Sequence, residues 1–121
     1  MLEILCVGAG GAAGAICRYA AALFSRDWTN GFPAGTLLVN LAGCFLIGVL
    51  GEILVKDSHH HWRLLLLTGF CGGFTTFSTF TAEFMHQVQA GDWRSAVLYA
   101  GISFFGGLGV FVAGLRLGKL I

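Results

Sequence analysis

Residues 68–81 read Thr68-Gly69-Phe70-Cys71-Gly72-Gly73-Phe74-Thr75-Thr76-Phe77-Ser78-Thr79-Phe80-Thr81, a hydroxyl- and glycine-rich run inside an apolar stretch. Paired glycines followed by two β-branched threonines weaken a helix. Two readings are open. Either the helix continues and its Ser and Thr side chains bond back to their own backbone, or it breaks near Gly72–Thr75. A break frees backbone carbonyls, which persist at membrane depth only when buried in protein or bound to something. Oxygens freed in this way commonly coordinate an alkali cation. Beyond this point Phe77, Phe80 and Phe84 fall at i, i+3 and i+7, one helical stripe, and Thr76, Thr79 and Glu83 form the stripe beside it. A Phe stripe alone is a packing or lipid-facing surface. Beside hydroxyl donors, the positive edges of the rings can favour a small anion.

Two other segments carry polar groups at the same spacing. Thr36 and Asn40 are one turn apart, with Gly43 and Cys44 continuing their face. An Asn in a bilayer needs hydrogen-bond partners. Asn40 serves either as glue between helices or as an amide donor on a polar path. Tyr99 and Ser103 repeat the spacing, followed by Gly106, Gly107 and Gly109, a face that lets another backbone come close. Gly10-x-x-x-Gly14 has a helix-contact spacing. Glu3, Glu52 and Glu83 fall toward segment ends, and no carboxylate lies at the centre of the first two segments, which disfavours proton coupling. His59-His60-His61 reads as a solvated turn. Cys6, Cys17, Cys44 and Cys71 lie inside apolar segments with no C-x-x-C pair and read as reduced packing residues.

These residues require elements that hold them in lipid. Of the 121 residues 56% are hydrophobic and 11% charged, with a mean hydropathy of +0.80. A soluble domain carries about 25% charged residues. So short a chain with so few charges cannot cover its apolar surface in water, which argues against a soluble enzyme. Disorder is excluded by the same composition. A net charge of +1 provides no field for nucleic acid. Gly, at 19 residues, points to closely packed membrane helices. Apolar runs at residues 2–24, 33–55, 62–85 and 95–115 have the length of membrane spans, which need about 20 residues. The expectation is one all-α transmembrane domain over residues 1–121, with Pro33 in the first turn of the second span. Connections at 25–32, 56–61 and 86–94 hold or border Trp28, Trp62 and Trp93, where an aromatic belt is expected. The first span lacks a basic leader region and carries Arg18 near its far end, so it does not read as a signal peptide.

An even number of spans puts Lys56, Arg63, Arg116 and Lys119 on one side and Arg18, Arg26 and Arg94 on the other. That balance leaves two readings under the positive-inside rule. One is a single orientation set by the first helix. The other is dual topology, with copies inserted both ways and paired antiparallel.

Taken together, the chain resembles the Fluc (CrcB-like) family of fluoride channels over essentially its whole length. The resemblance rests on Gly10-Gly11, Gly14 and Arg18-Tyr19; on Gly35-Thr36-Leu37, Asn40, Gly43 and Gly48; on Gly69-Phe70 and Gly72-Gly73-Phe74-Thr75-Thr76-Phe77-Ser78-Thr79-Phe80; and on Tyr99 and Ser103. It implies a non-enzymatic, passive fluoride channel in the bacterial plasma (inner) membrane, relieving fluoride toxicity. It implies an antiparallel dual-topology homodimer of four-helix subunits, each with its third helix broken mid-membrane. Its fluoride path would include Asn40, Phe77 and Phe80, with Thr36, Ser78, Thr79, Tyr99 and Ser103 as a polar track and Arg18 in an aqueous vestibule. A structural sodium ion would sit on the backbone carbonyls of Gly72 and Thr75 from both subunits. Its other partners would be fluoride and the lipid bilayer. A small dual-topology, proton-coupled multidrug exporter is the rival, and it needs a central carboxylate. A non-transporting membrane packing subunit is the third reading.

The charge balance generates a prediction. Cysteine labelling of the C-terminus finds it on both faces of the membrane, and two lysines added to the 56–61 connection draw that loop inward. A wild-type C-terminus on one face only contradicts dual topology.

Overall fold

The computed structural model describes residues 1–26, 31–55 and 59–121. Trp28 and Lys56, assigned above to connections, lie outside the described residues. Among the described residues every regular element is helical. Helix α1 is Leu2–Ser25 and α2 is Ala34–Ile53. Helix α3 covers residues 60–74 and α4 is Phe77–Gln89, so that His60–Gln89 forms one long run. Helix α5 is Trp93–Leu120. Among the described residues these make four segments long and apolar enough to cross a membrane.

The helices outrun the hydrophobic pattern at several ends. Pro33 precedes α2 rather than opening it, at φ −79° and ψ 56°. Helix α5 starts at Trp93 because the Asp92 carboxylate accepts from Ser95 N–H at 3.1 Å, an N-cap that extends the helix into polar sequence. The Ser95 side chain, and then this N–H bond, hold the Asp92 carboxyl below the usual carboxylate range. A second feature has no hydropathy signature. Leu64–Cys71 in α3 and Ile102–Gly106 in α5 are π-helical.

Few large side chains are buried within the subunit. Val39, Leu54, Cys71, Ala96 and Tyr99 are the buried apolar residues among those described, while Ile16, Phe24, Leu38, Phe104 and Phe105 point outward. Close backbone approach replaces a large-residue core, as expected where lipid supplies no hydrophobic drive. Helix α1 lies on α3. A Cβ on Gly10 would overlap the Leu65 carbonyl, one on Gly14 the Phe70 carbonyl, and one on Gly73 the Gly11 carbonyl. Helix α2 lies on the end of α5, with Gly48 against the Phe111 carbonyl and Gly114 against the Phe45 carbonyl.

The two kinds of glycine separate experimentally. Gly14→Ala places a methyl into backbone and lowers unfolding stability in detergent by about 1–3 kcal/mol, the usual cost of overpacking. Gly8, with nothing within 4 Å of an added Cβ, gives an Ala variant of equal or higher stability. Equal stability of the two variants contradicts this packing.

Candidate functional site

The site is built around Thr75 and Thr76. Thr75 has φ −87° and ψ 157°, Thr76 has φ −151° and ψ 124°, and both are extended between the helical segments Gly72–Phe74 and Phe77–Gln89. In a continuous helix Thr76 N–H would bond the Gly72 carbonyl, and Thr79 N–H would bond the Thr75 carbonyl. Here Thr76 N–H donates to Asn40 Oδ1 at 2.8 Å, and Thr79 N–H donates to Thr76 Oγ1 at 3.3 Å. The Gly72 and Thr75 carbonyls therefore lose their i+4 donors to side chains. Asn40 Nδ2 donates in turn to the Thr76 carbonyl at 3.0 Å, so one amide holds both backbone groups of Thr76. Gly43, one turn along from Asn40, leaves room for the Thr75 methyl, which a Cβ there would overlap. The Thr75 hydroxyl donates to the Cys71 carbonyl at 2.9 Å, beside the 3.0 Å bond from Thr75 N–H.

Beside this clasp is a cleft of about 450 Å³, lined by Asn40, Cys44, Phe77, Phe80, Ser103 and Phe104 among others. Phe77 is 79% exposed. Phe80 is wedged among rings, 5.8 Å from Phe77, 6.3 Å from Phe84 and 5.0 Å from Tyr99 by centroid. Ser103 belongs to the π-helical turn Ile102–Gly106, and its Oγ is buried without a hydrogen-bond partner.

On the other side of Thr76, a cleft of about 230 Å³ is lined by Arg18, Tyr19, Thr36, Thr76, Thr79 and Glu83, among others. Glu83 joins three helices. The Thr36 hydroxyl donates to Glu83 Oε1 at 2.8 Å, and the buried Tyr99 hydroxyl donates to Oε2 at 2.7 Å. The Thr76 hydroxyl donates to Thr79 Oγ1 at 3.1 Å and lies 3.3 Å from Ser78 Oγ.

Asn40, Phe77, Phe80 and Ser103 thus meet in one cleft, and Arg18, Thr36 and Thr79 in another. Tyr99 links them through Glu83 and Phe80. Ser78 stays at the start of α4, and Gly72 is exposed with nothing of its own chain within 4 Å of an added Cβ. Sequence reasoning placed Glu83 on the right stripe but passed over it as a site residue, because it lies near a segment end. The stripe itself was the signal: the i+4 step from Thr79 puts the carboxylate on the hydroxyl face. The histidine tract is more than a solvated turn, since His60 Nε2 lies 2.9 Å from Glu3 Oε1, with both side chains exposed. Among the described residues no three His, Cys, Asp or Glu side chains gather as a metal site.

Four membrane-length helices among the described residues, packed around clefts that set aromatic rings beside amide, hydroxyl and charged groups, define a small multi-pass integral membrane protein. Residues 5–115 match the model of the family described as CrcB-like protein, Camphor Resistance (CrcB), and the chain belongs to that family. It is 47% identical over 119 residues to a protein of Chlorobium phaeobacteroides (strain BS1) named fluoride-specific ion channel FluC, covering 97% of this chain and 93% of that one. Proteins of the same name from Chlorobaculum tepidum and Nitratidesulfovibrio vulgaris are 45% and 40% identical. The first match covers 99% of this chain and 97% of that one, and the second covers 100% of both.

The clasp predicts a cost for its loss. Asn40→Ala leaves both backbone groups of Thr76 unpaired and lowers unfolding stability by about 2–6 kcal/mol, at roughly 1–3 kcal/mol for each buried group left unsatisfied. A variant as stable as wild type contradicts the clasp.

Proposed function

We propose that the chain is a passive, fluoride-selective channel through which cytoplasmic fluoride leaves the cell. The observation that carries this reading is the unpartnered Ser103 hydroxyl, buried in the same cleft as Asn40, Phe77 and Phe80. A buried donor without an acceptor is costly, and a small anion supplies the acceptor. Asn40, which lines this cleft, gives one N–H to the Thr76 carbonyl and has a second to donate. The Phe77 and Phe80 edges add positive potential. Fluoride is small and strongly hydrated, so its path must replace water with donors yet hold it weakly enough for release. The relatives named as fluoride-specific channels support the same anion.

Arg18 supplies the vestibule in this reading, drawing anions toward Thr36 and Thr79. Glu83 holds the hydroxyls of Thr36 and Tyr99, so an arriving fluoride takes them only when that carboxylate turns away. The assembly we infer is an antiparallel, dual-topology homodimer in the bacterial inner membrane, with the third span broken at mid-membrane. Exposed Gly72, unopposed by its own chain, is suited to close approach by a second copy. The Gly72 and Thr75 carbonyls, turned from their helical donors, are hard oxygen ligands of the kind a sodium ion takes. They would hold a structural sodium between the two copies. The benefit to the cell is protection. Hydrogen fluoride crosses membranes as a neutral acid, ionises at cytoplasmic pH, and leaves through the channel as the anion.

The Thr36–Glu83–Tyr99 cluster gives the proton-coupled exporter a carboxylate, so one experiment must separate the two. In liposomes, wild-type protein releases fluoride without a proton gradient and retains chloride. Phe77→Ile and Phe80→Ile each lower that flux while leaving a dimer. Asn40→Asp also suppresses it, because like charges about 4 Å apart repel by about 4 kcal/mol at an effective dielectric of about 20. Fluoride release only under a proton gradient supports the exporter, and no release supports a packing subunit.

A further inference from the structure

A third cleft of about 320 Å³ opens beside the one that holds Arg18. The two share Tyr19, Ala22, Gly35, Thr36 and Glu83 in their walls, so they are contiguous. Arg26, at the C-terminus of α1, lines the outer cleft, and Arg18 lines the inner one. Both cations therefore come from one helix, two turns apart. Glu83 stands in the wall common to both clefts and is the only carboxylate, among the described residues, lining either of them.

We propose that Arg26 forms an outer anion-capture site that raises the local concentration of small inorganic anions ahead of Arg18 and sets the rate of entry. The proposal rests on the channel reading above. A cleft with low-dielectric walls and one sign of charge focuses the field and speeds capture of the opposite charge. Glu83 opposes that field, so Arg18 alone leaves the shared wall close to neutral. Among the described residues, Arg26 adds at the outer cleft a positive charge that Glu83 does not already offset; Asp27, next to it in the sequence, lies outside them. Arg26 is exposed, so it acts by charge and not by a fixed hydrogen bond. Lysine should then serve in its place, whereas a bidentate role would require arginine.

The test is initial fluoride release from liposomes at fluoride well below saturation, in low and in high supporting salt. The Debye length falls from about 30 Å at about 0.01 M to about 3 Å at about 1 M. Arg26→Gln is expected to lower release roughly tenfold in low salt, the lower end of the range for electrostatic capture. Arg26→Glu lowers it further, Arg26→Lys retains it, and the differences disappear in high salt. Arg26→Glu equal to wild type in low salt overturns the proposal. So does a loss that is the same at both salts, or one that lysine does not restore, since either marks a structural role. A wild-type protein that releases no fluoride at all overturns the channel reading instead, so the two failures are distinguishable.

Discussion

The bonds between Asn40 and Thr76 are the interaction on which the rest depends. Lipid offers no partner to a backbone N–H or carbonyl, and each one left unpaired costs several kcal/mol. Two consecutive extended residues inside an apolar segment are therefore sustainable only if something else satisfies them. Asn40 satisfies both groups of Thr76 with one planar amide. The Thr76 hydroxyl caps α4 by accepting from Thr79 N–H, and so begins a new helix immediately after the extended pair. The Phe77 and Phe80 rings line one cleft and Thr79 the other, with Thr76 in the wall of both.

The clasp works only because the helices lie close together. Glycine faces on α1 and α3, and on α2 and α5, bring backbone against backbone. Gly43 is the link between packing and site. It accommodates the Thr75 methyl one turn from Asn40, so that the amide and the extended backbone meet in register. The π-helical turn at Ile102–Gly106 performs a related task in α5. It shifts the side-chain register there, and Ser103 in that turn lines the ring cleft. Such turns recur at functional sites.

Much of this was legible in the residues. The membrane spans followed from composition and charge spacing, and the stripes at Thr36/Asn40, Tyr99/Ser103 and Thr76/Thr79/Glu83 followed from the 3.6-residue period. Periodicity shows which residues share a face, but not which face meets which. That is why Asn40 could be read as glue or as a donor, when its amide pairs with backbone on one side and lines a cleft on the other. Glu83 was underrated for the same reason. Its distance from the segment centre concealed two hydroxyls approaching from α2 and α5. The π-helical turns left no trace at all, because they depend on how the helices pack and not on hydrophobic pattern.

The most direct test of the central claim is a high-resolution density map of the protein in lipid, with sodium and fluoride present. The account predicts extended backbone at Thr75 and Thr76, with the Asn40 amide on both backbone groups of Thr76 and the Gly72 and Thr75 carbonyls turned from their helical donors. A continuous helix through Thr76, with the Asn40 side chain free of its backbone, would contradict it.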